Sequence, residues 1–336
     1  MMSDINLRIQ GKAGRITLQR PESLNAMTYE MCLAIEKALI DWKYDPKVEL
    51  IIIDAQGERA FCSGGDISDL YEAGNKKNYN YGKKFWDDEY RLNALIAKYP
   101  KPYIAFMQGF TMGGGVGISC HGSHRIVCET SKIAMPECSI GLIPDVGGSL
   151  LLSRAPNNLG YFLGLTGTQM NAADAIYTGF ADSYIPKSEW SEVIKKLEKS
   201  GNNSILREHS QNSGKSQLAE NRELFEAIFT SKDLPKIVQF LSKSEDQRAI
   251  EALNKITKNC PIAMTYTIEM LSRLTPKSKI EDALDLEYRF TSRAQEHGSF
   301  QEGIRAAIID KDRKPKWRFE IDEVPKEIIN NFLKPL

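Results

Sequence analysis

Two carboxylates in one short apolar stretch, with two glycine loops upstream of it, are where this sequence could do chemistry. Glu137 and Asp145 lie in "MPECSIGLIPDVGG" (residues 135–148), among prolines, glycines and aliphatic side chains. A carboxylate withdrawn from water needs a partner or a task. "FCSGGDI" (61–67) and "TMGGGVG" (111–117) each follow an apolar run of strand character, and the second opens a helix. Glycine lets a backbone approach a ligand closely, and the start of a helix offers free N–H groups to negative charge. Three known uses fail on spelling. A dinucleotide fingerprint breaks at Ile118 or Cys120, no G-K-[ST] ends a P-loop, and a hydrolase elbow breaks at His121. What survives is a pair of backbone donors, one from each loop, around an acyl oxygen. With a carboxylate nearby, such a pair is a catalyst of acyl chemistry. Taken singly, each feature has a plainer use: a tight turn for either glycine loop, an N-cap for Asp145, a salt-bridged core acid for Glu137. Two such loops in succession, followed by two acids, favour a site.

The elements that must position these residues can be read from periodicity. "NLRIQGKAGRITLQR" alternates on both sides of Gly11–Gly14, which predicts a hairpin. Met31, Ile35, Ala38, Leu39 and Trp42 keep a helical period behind Thr28, a suitable N-cap. "VELIIIDA", "PYIAFMQG" and "HRIVCET" are strands by length and β-branching, and "FWDDEYRLNALIAKY" is a helix between the first two. This strand-turn-helix unit recurs from about residue 48 to 185 and predicts an α/β core. Asp66 is expected to cap the helix after "SGG". "EAGNKKNYNYGKKF", rich in lysine and tyrosine, reads as a loop that either covers a ligand's phosphates or is solvated. "KSGNNSILREHSQNSGKSQ" reads as exposed loop, and from Leu218 onward nearly every segment is helix-periodic. The expected division is a core over 1–200 and an all-helical region over 201–336, whose apolar stripes need the core to cover them.

Bulk properties exclude several classes. The chain has 336 residues, with 44 Lys and Arg against 44 Asp and Glu, so no basic face suggests nucleic acid. No apolar run reaches bilayer length. "MMSDINLRIQ" has neither an apolar signal core nor an Arg- and Ser-rich leader, and a cytoplasmic protein is the expectation. Six cysteines without a C-x-x-C pair predict reduced, buried thiols. Cys62, Cys120 and Cys138 lie near the candidate site, yet no aligned histidine would activate a thiolate, so they read as packing residues. His121 and His124 are three apart with no further ligand, and no metal is expected.

Together, "FCSGGDI", "GFTMGGGVGIS", "MPECSIGLIPDVGG" and the tail "EGIRAAIIDKDRKPKW" resemble the enoyl-CoA hydratase/isomerase (crotonase) superfamily, from the first hairpin to about Trp317. Within it the chain looks like the 3-hydroxyisobutyryl-CoA hydrolase branch. The resemblance implies a spiral of ββα turns with an all-helical C-terminal region and a bound CoA thioester. By position, the N–H groups of Gly65 and Gly114 hold the thioester oxygen. Hydratases of the superfamily use two glutamates; here the first position is Gly117 and the second Glu137. Adding water across a double bond wants two positioned acid/base groups, so the missing one argues against a hydratase. Asp145 stands where hydratases carry glycine, and Glu137 with Asp145 is the pattern of the hydrolase branch.

The same resemblance implies hydrolysis of a short 3-hydroxyacyl-CoA, with 3-hydroxyisobutyryl-CoA in valine breakdown as the leading substrate. Glu137 acts as nucleophile or as general base, Asp145 positions water and helps protonate the leaving thiolate, and Glu89 contacts the 3-hydroxyl. Leu24, Ala26 and Ile67 are expected to line CoA. No separate cofactor is implied, CoA entering as part of the substrate, and a second copy of the chain is a candidate partner because superfamily members often form trimers. Two further readings remain: a hydratase or isomerase using Glu137 alone, and a catalytically idle scaffold that binds a partner through its helical third.

Overall fold

The hairpin forms where alternation predicts it. The computed structural model describes residues 4–336, and its strands are β1 (Ile5–Gln10), β2 (Ala13–Leu18), β3 (Leu50–Ala55), β4 (Ala60–Cys62), β5 (Tyr103–Met107), β6 (Phe110–Met112), β7 (His124–Val127), β8 (Lys132–Ala134) and β9 (Ser183–Tyr184). β1 and β2 pair antiparallel, and every later pairing between these strands is parallel. One sheet has the order β1-β2-β3-β5-β7-β9 and the other β4-β6-β8. Parallel neighbours need crossovers, which is why helical segments separate the strands. The first, α1 (Tyr29–Lys43), starts where its cap sits: the Thr28 hydroxyl accepts the Met31 N–H at 3.2 Å. Its apolar stripe, Met31, Ile35, Ala38, Leu39 and Trp42, is buried as expected.

The chain forms two compact units: Met1–Asp66, Asp88–Ala134 and Gln169–Glu220 in the first, and Ile67–Asp87, Met135–Thr168 and Asn221–Leu336 in the second. In the first, Leu50, Ile52, Ile104, Phe106 and Ile126 of the larger sheet pack with Trp190, Val193 and Leu197 of the helix Trp190–Ser200. Leu206 joins this core at 3 % exposure. That corrects the reading of 199–217 as exposed loop throughout, because Ile205–His209 is a helical turn. The apolar pair Ile205-Leu206 inside a polar run is what the sheet face takes up.

In the second unit the lysine- and tyrosine-rich stretch is helical, not a loop. It is divided between α2 (Ser68–Asn75) and α3 (Tyr79–Ala97), with only residues 76–78 between. Packing overrides its polar composition. Gln295 donates to the Leu70 carbonyl at 2.6 Å, Trp86 lies against Phe300, and a Cβ at Gly82 would come within 2.2 Å of Gln295 Oε1. The helices expected beyond Leu218 are present as Arg222–Phe229, Leu234–Ser242, Gln247–Ile256, Pro261–Arg273 and Ile280–His297. A further helix, Lys326–Leu333, lies beyond the expected last one and stacks Phe332 on Phe290 at 4.5 Å. Among the described residues no helix is long and apolar enough to cross a membrane.

Candidate active site

The first unit brings three of the expected site residues together. β4 ends at Cys62, and the chain then forms a parallel bridge between Gly65 and Met27. That bridge uses the Met27 N–H on the Gly64 carbonyl (2.9 Å) and the Asp66 N–H on the Met27 carbonyl (2.8 Å). The Gly65 N–H is left out of the ladder. β6 leads into α4 (Gly114–Gly117), whose first residue has no intrahelical acceptor for its N–H. A Cβ at Gly114 would lie 3.2 Å from the Gly65 nitrogen and 3.0 Å from Glu89 Oε1. Two backbone amides and one carboxylate therefore border the same small space. Glu89 is 3 % exposed and comes from the middle of α3. Its neighbour Asp88 has partners of its own, the Tyr29 hydroxyl and Arg91 at 2.7 Å. Gly117, at the end of α4, is buried and carries no side chain.

The loop expected to contact CoA is held by the same frame. Leu24 and Asn25 both adopt left-handed backbone (φ 52° and 53°). The buried Asn25 amide stabilises this by donating to the Gln56 and Ala60 carbonyls at 2.9 Å each. The Leu24 carbonyl accepts the Ser63 N–H (3.0 Å) and the Ala26 carbonyl accepts Arg20 (2.6 Å), so the loop is tied to the first glycine cluster. Asp66 is one residue outside the cap position that sequence assigned to it. Ile67 is the N-cap of α2, and Asp66 pairs with Arg20 at 3.2 Å. Ile67 itself is half-buried and belongs to the second unit.

The second unit carries both acids of the 135–148 segment. Glu137, 5 % exposed, opens a single 3₁₀ turn (Glu137–Ile140) closed by Gly141 at φ 75°. The tail fixes that turn: the Cys260 N–H donates to the Cys138 carbonyl at 2.9 Å, and a Cβ at Gly303 would overlap the Ile140 carbonyl at 1.9 Å. The glycine of "QEGIRA" is thus needed for close approach to the turn bearing Glu137. Asp145, 4 % exposed, is not an N-cap. α5 (Gly148–Arg154) is capped by Gly147, and Asp145 contributes its carbonyl to the Gly148 N–H at 2.7 Å.

A residue that sequence reading passed over supplies the missing cap. Glu287, fully buried on the helix Ile280–His297, accepts the Gly147 N–H at 2.8 Å, the Ser149 N–H at 3.1 Å and the Ser149 hydroxyl. The sequence held a signal for it: Ile280, Ala283, Leu284, Glu287 and Phe290 form one apolar stripe, and Glu287 is the acid within it. Burial pushes its carboxyl up to about 8, helped by the charge of Asp145 and opposed by the Ser149 and backbone hydrogen bonds.

The six cysteines are buried and unpaired. Burial pushes the Cys62 thiol up to about 12 and Cys120 up to about 11, and it raises Cys32 and Cys138 further. Thiols held this way are poor nucleophiles at neutral pH. The native protein should accordingly resist a water-soluble aromatic disulfide reagent for the duration of a turnover assay, with all six thiols reacting only on unfolding. One fast-reacting thiol in the native state would overturn the packing role. His124 is engaged by Ser123 (2.9 Å) and Asn203 (3.0 Å), and among the described residues no three His, Cys, Asp or Glu side chains group as metal ligands.

Comparison with known proteins follows the same lines. Residues 13–333 match the family model described as enoyl-CoA hydratase/isomerase. The chain is 36% identical over 346 residues to the 3-hydroxyisobutyryl-CoA hydrolase, mitochondrial, of Gallus gallus, covering 99% of this chain and 89% of that one. The Homo sapiens protein of the same name is 35% identical over 345 residues, with the same coverage. Among solved structures, an enoyl-CoA hydratase from Rhodobacter sphaeroides 2.4.1 superposes with a TM-score of 0.96 at 47% identity, covering 99% of this chain and 98% of its own. A carnitinyl-CoA dehydratase from Mycobacterium thermoresistibile superposes with a TM-score of 0.95 at 37% identity, covering 100% and 97%.

Proposed function

Because the chain belongs to the enoyl-CoA hydratase/isomerase family, we propose that it hydrolyses a short 3-hydroxyacyl-CoA, with 3-hydroxyisobutyryl-CoA as the leading substrate. The observation that carries this reading is the placement of acids. Gly117 offers no carboxylate where a hydratase needs its first glutamate, whereas Glu137 and Asp145 are both buried. The likeness to hydrolases over nearly the whole chain supports the same choice.

In the proposed reaction the N–H groups of Gly65 and Gly114 take up the negative charge that develops on the thioester oxygen. Glu137 either removes a proton from the attacking water or attacks the acyl carbon itself, giving a mixed anhydride that water then opens. In both routes a C–O bond forms, the C–S bond breaks, and the thiolate of CoA leaves. Asp145 orients the water and helps return a proton to that sulfur. Glu89 accepts the substrate's 3-hydroxyl. CoA enters as part of the substrate, and Leu24, Ala26 and Ile67 are assigned to its binding. The proposed compartment is the cytoplasm, where six unpaired thiols stay reduced, although the vertebrate relatives carry "mitochondrial" in their names. The proposed physiological setting is valine breakdown.

One comparison favours a second reading. The Rhodobacter sphaeroides structure, at 47% identity, is that of an enoyl-CoA hydratase. A panel of CoA esters separates the two. The hydrolase reading expects thiol release from 3-hydroxyisobutyryl-CoA to exceed that from isobutyryl-CoA by about 10–10²-fold in kcat/KM, the worth of a hydrogen bond to a carboxylate. Glu89→Gln should narrow that gap. Crotonyl-CoA consumed without thiol release, together with 3-hydroxy esters that release no thiol, would establish the hydratase reading instead.

A further inference from the structure

We propose that Glu287 is a positioning residue for Asp145: its carboxyl group clamps the turn that carries Asp145 and so fixes where that side chain acts. Directly after Asp145 the backbone turns left-handed twice, at Val146 (φ 52°) and Gly147 (φ 76°). A β-branched residue rarely adopts this conformation, and it persists only where the surroundings over-determine it. The determinant is Glu287. Gly147 has no side chain with which to cap α5, and Glu287 performs that task from another helix by taking two backbone N–H groups and the Ser149 hydroxyl. The two N–H bonds go to different oxygens, Oε2 for Gly147 and Oε1 for Ser149. A carboxyl group fits this pattern in either protonation state, because a hydroxyl oxygen whose proton points away from the turn still accepts, whereas a glutamine would turn an NH₂ with no lone pair toward one of the donors.

The electrostatics place the two acids in one coupled system. Desolvation raises Glu287 first and the charge of Asp145 adds to it, while the Ser149 and backbone bonds hold it down. Burial raises the Tyr266 phenol of the helix Pro261–Arg273, with Arg289, Arg273 and Arg293 opposing the rise and Glu287 adding a smaller push upward. With Glu287 pushed up to about 8, the folded protein keeps a proton that the unfolded chain releases near the ordinary value of about 4.3. The stabilisation this gives is complete below that lower value and is lost as pH rises through about 8.

The kinetic half of this inference rests on the hydrolase reading; the stability half does not. Melting temperatures would be followed from pH 5 to 9 for the wild type, Glu287→Gln, Asp145→Asn and Ser149→Ala. Glu287→Gln should flatten the pH slope. Asp145→Asn removes a charge that raises Glu287 and should move the alkaline end of the window down; Ser149→Ala removes a bond that lowers it and should move that end up. In the thiol-release assay Glu287→Gln should lose about 10²-fold in kcat, the scale of a misplaced catalytic group, with KM within about twofold. Melting profiles of Asp145→Asn and Ser149→Ala that parallel the wild type, or a Glu287→Gln protein with wild-type kcat, would overturn the clamp. Should Glu287→Gln fail to fold, the opposite shifts of the other two variants still decide it. If no CoA ester releases thiol, the hydrolase reading falls alone, and the melting series continues to test whether Glu287 answers to Asp145.

Discussion

Glu137→Gln is expected to remove thiol release while leaving the fold intact. Glutamine has the shape of glutamate, so the 3₁₀ turn keeps its backbone bonds, the Ser139 N–H to the Pro136 carbonyl (2.9 Å) and the Leu142 N–H to the Glu137 carbonyl (3.1 Å). What disappears is the ability to take a proton or to attack carbon. Loss of a general base costs on the order of 10²–10⁴ in turnover. Loss of a nucleophile removes the covalent route altogether and costs more. The size of the defect therefore bears on the mechanism, and single-turnover hydrolysis in ¹⁸O-water completes the assignment. Label recovered in the Glu137 carboxylate establishes the anhydride, since water must have opened it at the side chain. A Glu137→Gln protein that melts like the wild type and still releases thiol at the wild-type rate would show that the chemistry lies elsewhere.

The glycine clusters and the acids between residues 135 and 148 were legible in the sequence because their chemistry is local. A glycine loop after a strand, or an acid among prolines, is meaningful within ten residues. α1 was legible for the same reason, with stripe and cap both in the chain. What escaped was non-local. The cap of α5 comes from Glu287, about 140 residues downstream, and no periodicity pairs a helix start with an acid so distant. The lysine- and tyrosine-rich stretch looked like a loop because its partners, Gln295, Gln301 and Phe300, belong to the far end of the chain. Residues 205–209 became a helical turn that buries Leu206 because the face of the larger sheet needed covering. The tail motif was recognisable as a spelling, but its physical reason, the approach of Gly303 to the turn bearing Glu137, is visible only in three dimensions.

Gly114→Ala should separate the proposed oxyanion contact from the stability of the fold. The added methyl would lie 3.0 Å from Glu89 Oε1 and 3.2 Å from the Gly65 nitrogen. These distances are tight, but Glu89 can yield by a few tenths of an ångström, and Gly114 sits in a helix where alanine is favourable. The protein should fold. The methyl, however, takes the space beside the two N–H groups that the reaction assigns to the thioester oxygen; both donors remain, but an oxygen kept from one of them should cost on the scale of a lost donor, on the order of 10²–10³ in turnover. The neighbouring position predicts the reverse order of damage. A Cβ at Gly115 would press within 2.4 Å of the Cys62 carbonyl, which belongs to the backbone and cannot move aside alone. Gly115→Ala should therefore lower the melting temperature well beyond any loss at Gly114. Thiol release measured beside melting curves for the two variants gives the comparison. A Gly114→Ala protein that turns over at the wild-type rate would remove the oxyanion role from this loop, whatever Gly115→Ala does to stability.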